Sequence, residues 1–336
     1  MADYILNMGG GTSGGGRSTV VDVFTVRDNG IEMVTGHDLA LSIGRDNLVS
    51  ATVNNYILAM GGGVNGGTSD AVDIFHATAN GIEHITDHGL SLSQARRTTA
   101  AAAGNYVLAM GGYDGAQFYD TVDVFKVTEN GVEAVPDHGL ALSVGRVTYG
   151  AGCGDYILAL GGNPGAPEAY SNAVDVFKVT DNGVEHITDH GLSLSVARRQ
   201  FATATCGSYI LAMGGGLSDG KSNAVDVFKV TDNGVEHITD HGLSLSVARY
   251  NLAAVSCGEY VLAMGGRAGS HVSYSNAVDV FKVTESGIEH ITDYGLTLSE
   301  GRGELAAAAC GNYILAMGGY ANDAYFNTID VFQIFS

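Results

Sequence analysis

Three pairs of histidines stand four residues apart, at His84/His88, His186/His190 and His237/His241. On a helix that spacing would put both rings on one face, ready for zinc. Four cysteines, Cys153, Cys206, Cys257 and Cys310, could be metal ligands, reactive thiols or disulfide partners. Six arginines, Arg45, Arg96, Arg146, Arg198, Arg249 and Arg302, each close an S-x-[AG]-R string. Gathered in one place, their guanidinium groups would hold an anion. Between these residues run stretches rich in Tyr, Ser, Gly and Asn, the adaptable contact set of binding loops. No Ser–His–Asp grouping stands out, so nucleophilic catalysis finds little support.

Whether any of these side chains meet depends on the elements that carry them, and the chain is built from one element repeated. SNAVDVFKVTDNGVEHITDHGLSLSVAR occupies 171–198 and recurs letter for letter at 222–249. Y-[IV]-L-[AN]-[ML]-G-G begins at Tyr4, Tyr56, Tyr106, Tyr156, Tyr209, Tyr260 and Tyr313. V/I-D-V/I-F carries Asp22, Asp73, Asp123, Asp175, Asp226, Asp279 and Asp330. A period near fifty residues over the whole chain marks a repeat architecture, and leaves 1–336 as one domain with no linker. The 336 residues are 45% hydrophobic and 15% charged, enough for a large core. With 49 Gly and 3 Pro, turns are frequent, and no window sustains a helical period.

One repeat, 198–247, reads as four strands. RRQFATAT is strand a, SYILAMGG strand b, NAVDVFKV strand c and VEHIT strand d. The Asn-Gly between c and d, at Asn80-Gly81, Asn130-Gly131, Asn182-Gly183 and Asn233-Gly234 among others, predicts a type I′ hairpin turn with positive φ at both central residues. Strand b is apolar almost without alternation, so both of its faces must be covered. Strand a is made of small residues, which suits the crowded inner edge of a wedge. Strand d is short and carries Glu and His, as an outer edge blunted against stray pairing would. Four-stranded sheets stacked around an axis make an all-β propeller.

The string R, small strand, YILAMGG, VDVF, turn, short strand resembles the Kelch repeat, in a divergent and bacterial-looking form. Where Kelch repeats carry Trp on strand d, this chain has Val184, Val235 and Ile288, and it contains no Trp. The resemblance implies a Kelch-like propeller of four-stranded blades. The strand count predicts seven blades with incomplete first and last blades. The alternative is six blades and a surplus C-terminal hairpin, which would pack elsewhere or pair with a neighbouring copy.

In such a fold the b–c loops and d–a segments share one face, and the a–b and c–d turns share the other. The second face is monotonous. On the first, the b–c loops differ in length and chemistry inside a near-constant frame, which is where binding function concentrates. The ligand residues predicted there are Tyr113, Asp114, Phe118, Tyr119, Tyr170, Arg267, His271, Tyr274, Tyr320 and Tyr325. Loops that have merely drifted since duplication would look the same. The six arginines reach the same face, either as a channel-mouth ring for anions or paired with the VDVF aspartates.

In strands, His pairs four residues apart are about 13 Å from each other, too far to share a metal. Cysteines in successive blades would be about 10 Å apart, beyond the roughly 7 Å that a disulfide spans. They read as buried free thiols, and no cofactor is implied. A net charge of −20 repels nucleic acid. No apolar run is long enough to insert in a membrane, and no signal peptide is recognisable. The chain would be cytoplasmic, or exported by another route. The expected function is a non-enzymatic scaffold binding a protein or glycan. Its rivals are a homo-oligomer assembling through unpaired terminal strands and a glycan-processing enzyme.

Overall fold

The computed structural model describes residues 3–27, 30–165, 170–269 and 273–334. Seven successive antiparallel sheets follow one another, five of four strands and the first and last of three. The protein is a seven-bladed β-propeller. The first blade consists of Asp3–Met8, Val21–Arg27 and Gly30–Val34, in positions b, c and d. The last consists of Ala306–Cys310, Tyr313–Met317 and Ile329–Gln333, in positions a, b and c. The six-blade alternative fails because the last hairpin pairs with its own strand a and is not surplus. Contacts divide the chain into two compact units. One comprises residues 1–159, 164–167 and 175–189, and the other 160–163, 168–174 and 190–336. Blades 1–3 lie in the first and blades 5–7 in the second, while blade 4 contributes to both.

Blade 5 shows why the sequence takes this form. Its strands are Ala202–Cys206, Tyr209–Met213, Val225–Thr231 and Gly234–Ile238. Register places Ala204, Leu211, Val227 and Ile238 in one row across the sheet. That row packs on Val261, Ala263 and Phe281 of blade 6. Ile210 and Ala212 alternate with Leu211 and Met213 along strand b, and all four are fully buried. Alternate side chains of a strand point to opposite faces. An unbroken apolar run is therefore what a strand sandwiched on both faces requires. The same packing recurs where Leu58, Met60 and Ile74 of blade 2 meet Val107, Ala109 and Phe125 of blade 3.

The Asn-Gly turns of blades 2–5 are not type I′, and Asn29 lies outside the described residues. Asn80, Asn130, Asn182 and Asn233 keep negative φ, and only the following glycine is positive, as at Gly234 (φ 134°). The central residues are Asp232 and Asn233, with Gly234 already paired to Thr231. The Thr231 hydroxyl accepts from the Asn233 N–H (3.3 Å) and donates to the Gly234 carbonyl (3.2 Å). This threonine bridge supplies what the mirror-image turn would have supplied through backbone conformation. The glycine pair after strand b does need its freedom. Gly214 and Gly215 stand at φ 71° and 116°, and a Cβ on Gly214 would lie 2.6 Å from the Arg249 carbonyl oxygen.

Candidate functional site

The six repeat arginines do not form an exposed channel-mouth ring. Each is 0% exposed. At Arg249, Nη2 lies 2.6 Å from Asp279 Oδ2 as an ion pair and donates to the Ala263 carbonyl (2.9 Å). The Asp279 Oδ1 accepts the Ser246 N–H at 2.8 Å. Arg146–Asp175, Arg96–Asp123 and Arg302–Asp330 repeat the ion pair at 2.6 Å, and Arg198–Asp226 and Arg45–Asp73 complete the set. The backbone of each arginine belongs to the blade before its aspartate. The Gly215 N–H of blade 5 bonds the Arg249 carbonyl, while the Arg249 guanidinium pairs in blade 6. The six are latches between consecutive blades. Burial lowers the pKa of Arg45, Arg198 and Arg249, and the paired aspartate opposes that shift.

The histidine pairs are split between two tasks. His84, His186, His237 and His290 place Nε2 3.0–3.3 Å from the latch aspartates. Each stacks on the phenylalanine of its own VDVF or VDIF, with centroids 4.7 Å apart. His88, His138, His190 and His241 accept, at Nδ1, the N–H two residues on, at 2.9–3.0 Å. No group of three metal-ligating side chains is present among the described residues. Burial, which nearby carboxylates oppose, holds the imidazoles of His88 and His241 below their ordinary pKa. Their folded forms thus bind fewer protons than the unfolded chain, so stability is complete above the unfolded pKa of about 6.5 and falls as pH drops below it. The melting temperature is expected to decline between neutral pH and pH ~5. In His88→Asn/His241→Asn the side-chain carbonyl can still accept the turn N–H but does not titrate. That variant should melt with a shallower acid slope, and an unchanged slope would refute the assignment.

None of the four cysteines forms a disulfide. Burial raises the thiols of Cys153, Cys206 and Cys257. Cys206 and Cys257 each donate to the carbonyl of a glycine in the next blade's a–b turn, at 3.3 Å.

The variable chemistry lies where strand a begins, beside the b–c loop. There blades 2, 3, 5, 6 and 7 each lay down a row of paired residues. In the second unit the rows are Arg199–Gly216–Lys221 in blade 5, Tyr250–Arg267–Tyr274 in blade 6 and Gly303–Tyr320–Tyr325 in blade 7. Paired residues project from the same side of a ribbon. In the middle row, Arg267 Nε and Nη2 donate to the Tyr274 hydroxyl (3.0 and 2.5 Å), and the guanidinium lies 5.0 Å from that ring's centroid. The Tyr250 hydroxyl also engages it, and the two phenols raise the Arg267 pKa. Lys221 donates to the Gly269 carbonyl and sits 5.8 Å from the Tyr250 ring. Tyr274 meets Tyr320 edge-on at 6.3 Å, and Tyr320 lies 5.3 Å from Tyr325, which is 54% exposed. Tyr320 donates to Asp323 at 2.9 Å, which raises its own pKa.

The rim beneath these rows is held in uncommon backbone. Gln200, Asn251 and Glu304 occupy one repeat slot at φ 57°, 53° and 57°. Left-handed conformations cost non-glycine residues about 1–3 kcal/mol each. Hydrogen bonds between blades offset this. The Asn251 N–H bonds the Gln200 carbonyl (2.8 Å), the Glu304 N–H bonds the Asn251 carbonyl (2.9 Å), and Asn251 Nδ2 donates to Glu304 Oε1 (2.9 Å).

In the first unit the corresponding rows are Asp46–Gly63–Thr68 and Arg97–Tyr113–Phe118. Here the chemistry closes on itself. Asp46 receives Arg17 at 2.8 Å and faces Arg97 at 4.0 Å. Asp114 accepts the N–H groups of Ala116 and Gln117 (2.7 and 2.8 Å) and the Tyr119 hydroxyl (2.7 Å). These bonds, the Tyr119 hydroxyl foremost, hold its carboxyl at about 2. Tyr113 stacks on Phe118 at 4.4 Å.

Of the residues expected from sequence, Arg267, Tyr274, Tyr320 and Tyr325 therefore come together. Tyr170 lies in the same unit under the Arg199 guanidinium, at 5.0 Å. Tyr113, Asp114, Phe118 and Tyr119 form a separate, internally bonded group. His271 falls outside the described residues. Sequence reasoning missed Arg199, Lys221 and Tyr250. The signal was there: the position after each constant arginine reads Asp46, Arg97, Val147, Arg199, Tyr250 and Gly303, a variable slot in a constant segment.

No protein-family model matches the chain, and no curated protein matches it. Among solved structures, one described as "Structure of YjhT" is similar, with a TM-score of 0.59 and 12% identity, over 87% of this chain and 96% of that one. At that identity the likeness bears on the fold alone, and YjhT is itself a propeller. No helix among the described residues is long and apolar enough to cross a membrane.

Proposed function

We propose that this chain is a non-catalytic binding propeller of Kelch type, which recognises a protein or glycan through its b–c and d–a face. The rows of blades 5–7, cationic in blade 5 and tyrosine-rich in blades 6 and 7, are its contact surface. One observation carries the reading. On a frame that repeats almost letter for letter, the row residues change from blade to blade, and in the second unit all but two glycines are rings or cations. Tyrosine supplies broad contact area with little conformational entropy to lose. The strained, hydrogen-bonded rim under the rows keeps them preorganised, which reduces the cost of binding. A face of this kind needs no reacting group to serve its purpose.

The test compares the native protein with a variant in which every b–c loop becomes GGGLSDGKSN, the blade 5 loop. That change removes Arg267, Tyr274, Tyr320 and Tyr325 together and keeps the frame. The native protein is expected to capture partners in a glycan-array and pull-down screen, and the levelled variant to lose them. Identical capture by both would reject the face as the binding site.

A further inference from the structure

Charges on the two units are handled differently. In the first unit, the loop cations Arg17 and Arg97 flank the carboxylate of Asp46. In the second, none of Arg199, Lys221 and Arg267 pairs with a carboxylate among the described residues. Their partners are rings, phenol hydroxyls and a backbone carbonyl. The Arg199 Nε is buried and has no hydrogen-bond partner among the described residues. This is unusual company for cations in a chain with 36 acidic and 16 basic residues. Carboxylates are close by, yet they are occupied by neutral donors: Glu304 by the Asn251 amide and Asp323 by the Tyr320 hydroxyl. The arrangement keeps the guanidinium at the centre of the rows charged, aimed and unneutralised.

We propose that Arg267 is the centre of an oxyanion subsite within the binding face, taking a carboxylate, sulfate or phosphate that is carried on a flat ring. The inference rests on the binding reading and narrows its ligand. A guanidinium presents five N–H donors in a rigid fork. Tyr274 takes Nε and one Nη2 hydrogen, which fixes the plane of the fork without saturating it. Charge-assisted bonds to an oxyanion are stronger than those to a phenol, so a ligand anion competes for the fork on favourable terms. Lys221, in the blade 5 row, reaches the Arg267 row through the Gly269 carbonyl and the Tyr250 ring and adds a second positive charge. On the blade 7 side, Tyr320 and the exposed Tyr325 offer ring surface for the body of the ligand. Extended polyanions are disfavoured by the −20 field around the patch. One anionic group beside one ring is the footprint that fits.

The experiment titrates the full chain with benzoate, phenyl phosphate, phenyl sulfate and neutral benzamide, by ligand-observed NMR at low and high salt. The oxyanions are expected to bind, to weaken as salt rises, and to bind at least about tenfold more tightly than benzamide. Their ranking separates carboxylate from phosphate and sulfate sources. Arg267→Gln should lose about tenfold in affinity for the anions and leave benzamide unchanged. Tyr320→Leu should weaken all four. Thermal melts confirm that both variants fold. If benzamide binds as well as benzoate, or Arg267→Gln keeps full anion affinity, the subsite is refuted. The binding reading survives that outcome if the native protein still captures a neutral partner that the levelled variant loses. If the levelled variant captures every partner the native does, the binding reading fails. Anion affinity that still depends on Arg267 would then leave the subsite standing as an anion site alone.

Discussion

Arg249→Leu is expected to destabilise the protein by about 3–5 kcal/mol, because it leaves Asp279 buried at 2% exposure without its counter-charge. The Ala263 and Val247 carbonyls lose their donors as well. The loss should appear as a lower urea midpoint. The double variant Arg249→Leu/Asp279→Leu removes both charges at once. Replacing a buried ion pair by apolar residues of similar volume is often close to neutral, so the double variant should recover most of what the single one loses. The recovery will be incomplete, since the Ser246 N–H and His290 Nε2 also address Asp279. A double variant as unstable as the single one would show that packing, and not the uncompensated carboxylate, carries the effect. Arg249→Lys should also fall well short of native. An ammonium cannot reach Asp279, Ala263 and Val247 from one planar fork.

Gly152→Thr is the second large effect, and it runs against the repeat. The same slot holds Thr52, Ala102, Thr205, Ser256 and Ala309 in the other blades, so the repeat offers Thr as readily as Ala there. In blade 4 a Cβ at Gly152 would overlap the Ala102 carbonyl oxygen of blade 3, a backbone atom that cannot swing aside. Gly150, two residues earlier, is tight against Ala100 and Ala101, and its N–H donates to Thr99 Oγ1 at 3.0 Å. The two glycines let the inner strands Arg97–Ala103 and Val147–Cys153 approach closely. Gly152→Thr should cost about 3 kcal/mol or more, at or above the upper range for overpacking. The reverse change, Thr205→Gly, should cost only about 1 kcal/mol, chiefly through backbone entropy. Urea midpoints of the two variants decide the matter. Equal, small losses would mean that the inner strands separate freely.

Much of the fold was legible because periodicity is read from residue types alone. YILAM in strand b announced a strand covered on both faces, and Leu211 and Ile210 do face opposite neighbours. The incomplete terminal sheets followed from counting strands. What could not be read was anything decided by three-dimensional pairing. S-x-[AG]-R showed six guanidiniums but not which blade their side chains would enter, and burial in the next blade removed them from the candidate ligand surface. The Asn-Gly turns failed for a local reason: Thr231 and its equivalents offer a hydroxyl that stabilises the commoner turn. For the candidate site, YDGAQFYD and RAGSHVSYSN looked alike in composition. Only the hydrogen bonds show that Asp114 ties the first into a closed knot, whereas Arg267 is displayed by the second. Tyr250 and Arg199 escaped notice because they belong to strand a and reach the b–c loops only through cross-strand pairing.

Because each arginine latch is divided between consecutive blades, the repeated segment 171–198 contains half of one latch and half of the next: Asp175, which answers Arg146, and Arg198, which answers Asp226. The unit copied in the chain's history is therefore out of phase with the blade as a folded object. Removing residues 171–221 would present Arg146 with Asp226 in the same 28-residue context it already meets at Asp175. The gene can thus gain or lose a whole blade by slippage between identical tracts, and every remaining latch still finds a mate. Blade number in this lineage is consequently a quantity on which recombination acts directly, with the ion-pair seams preserved at each step.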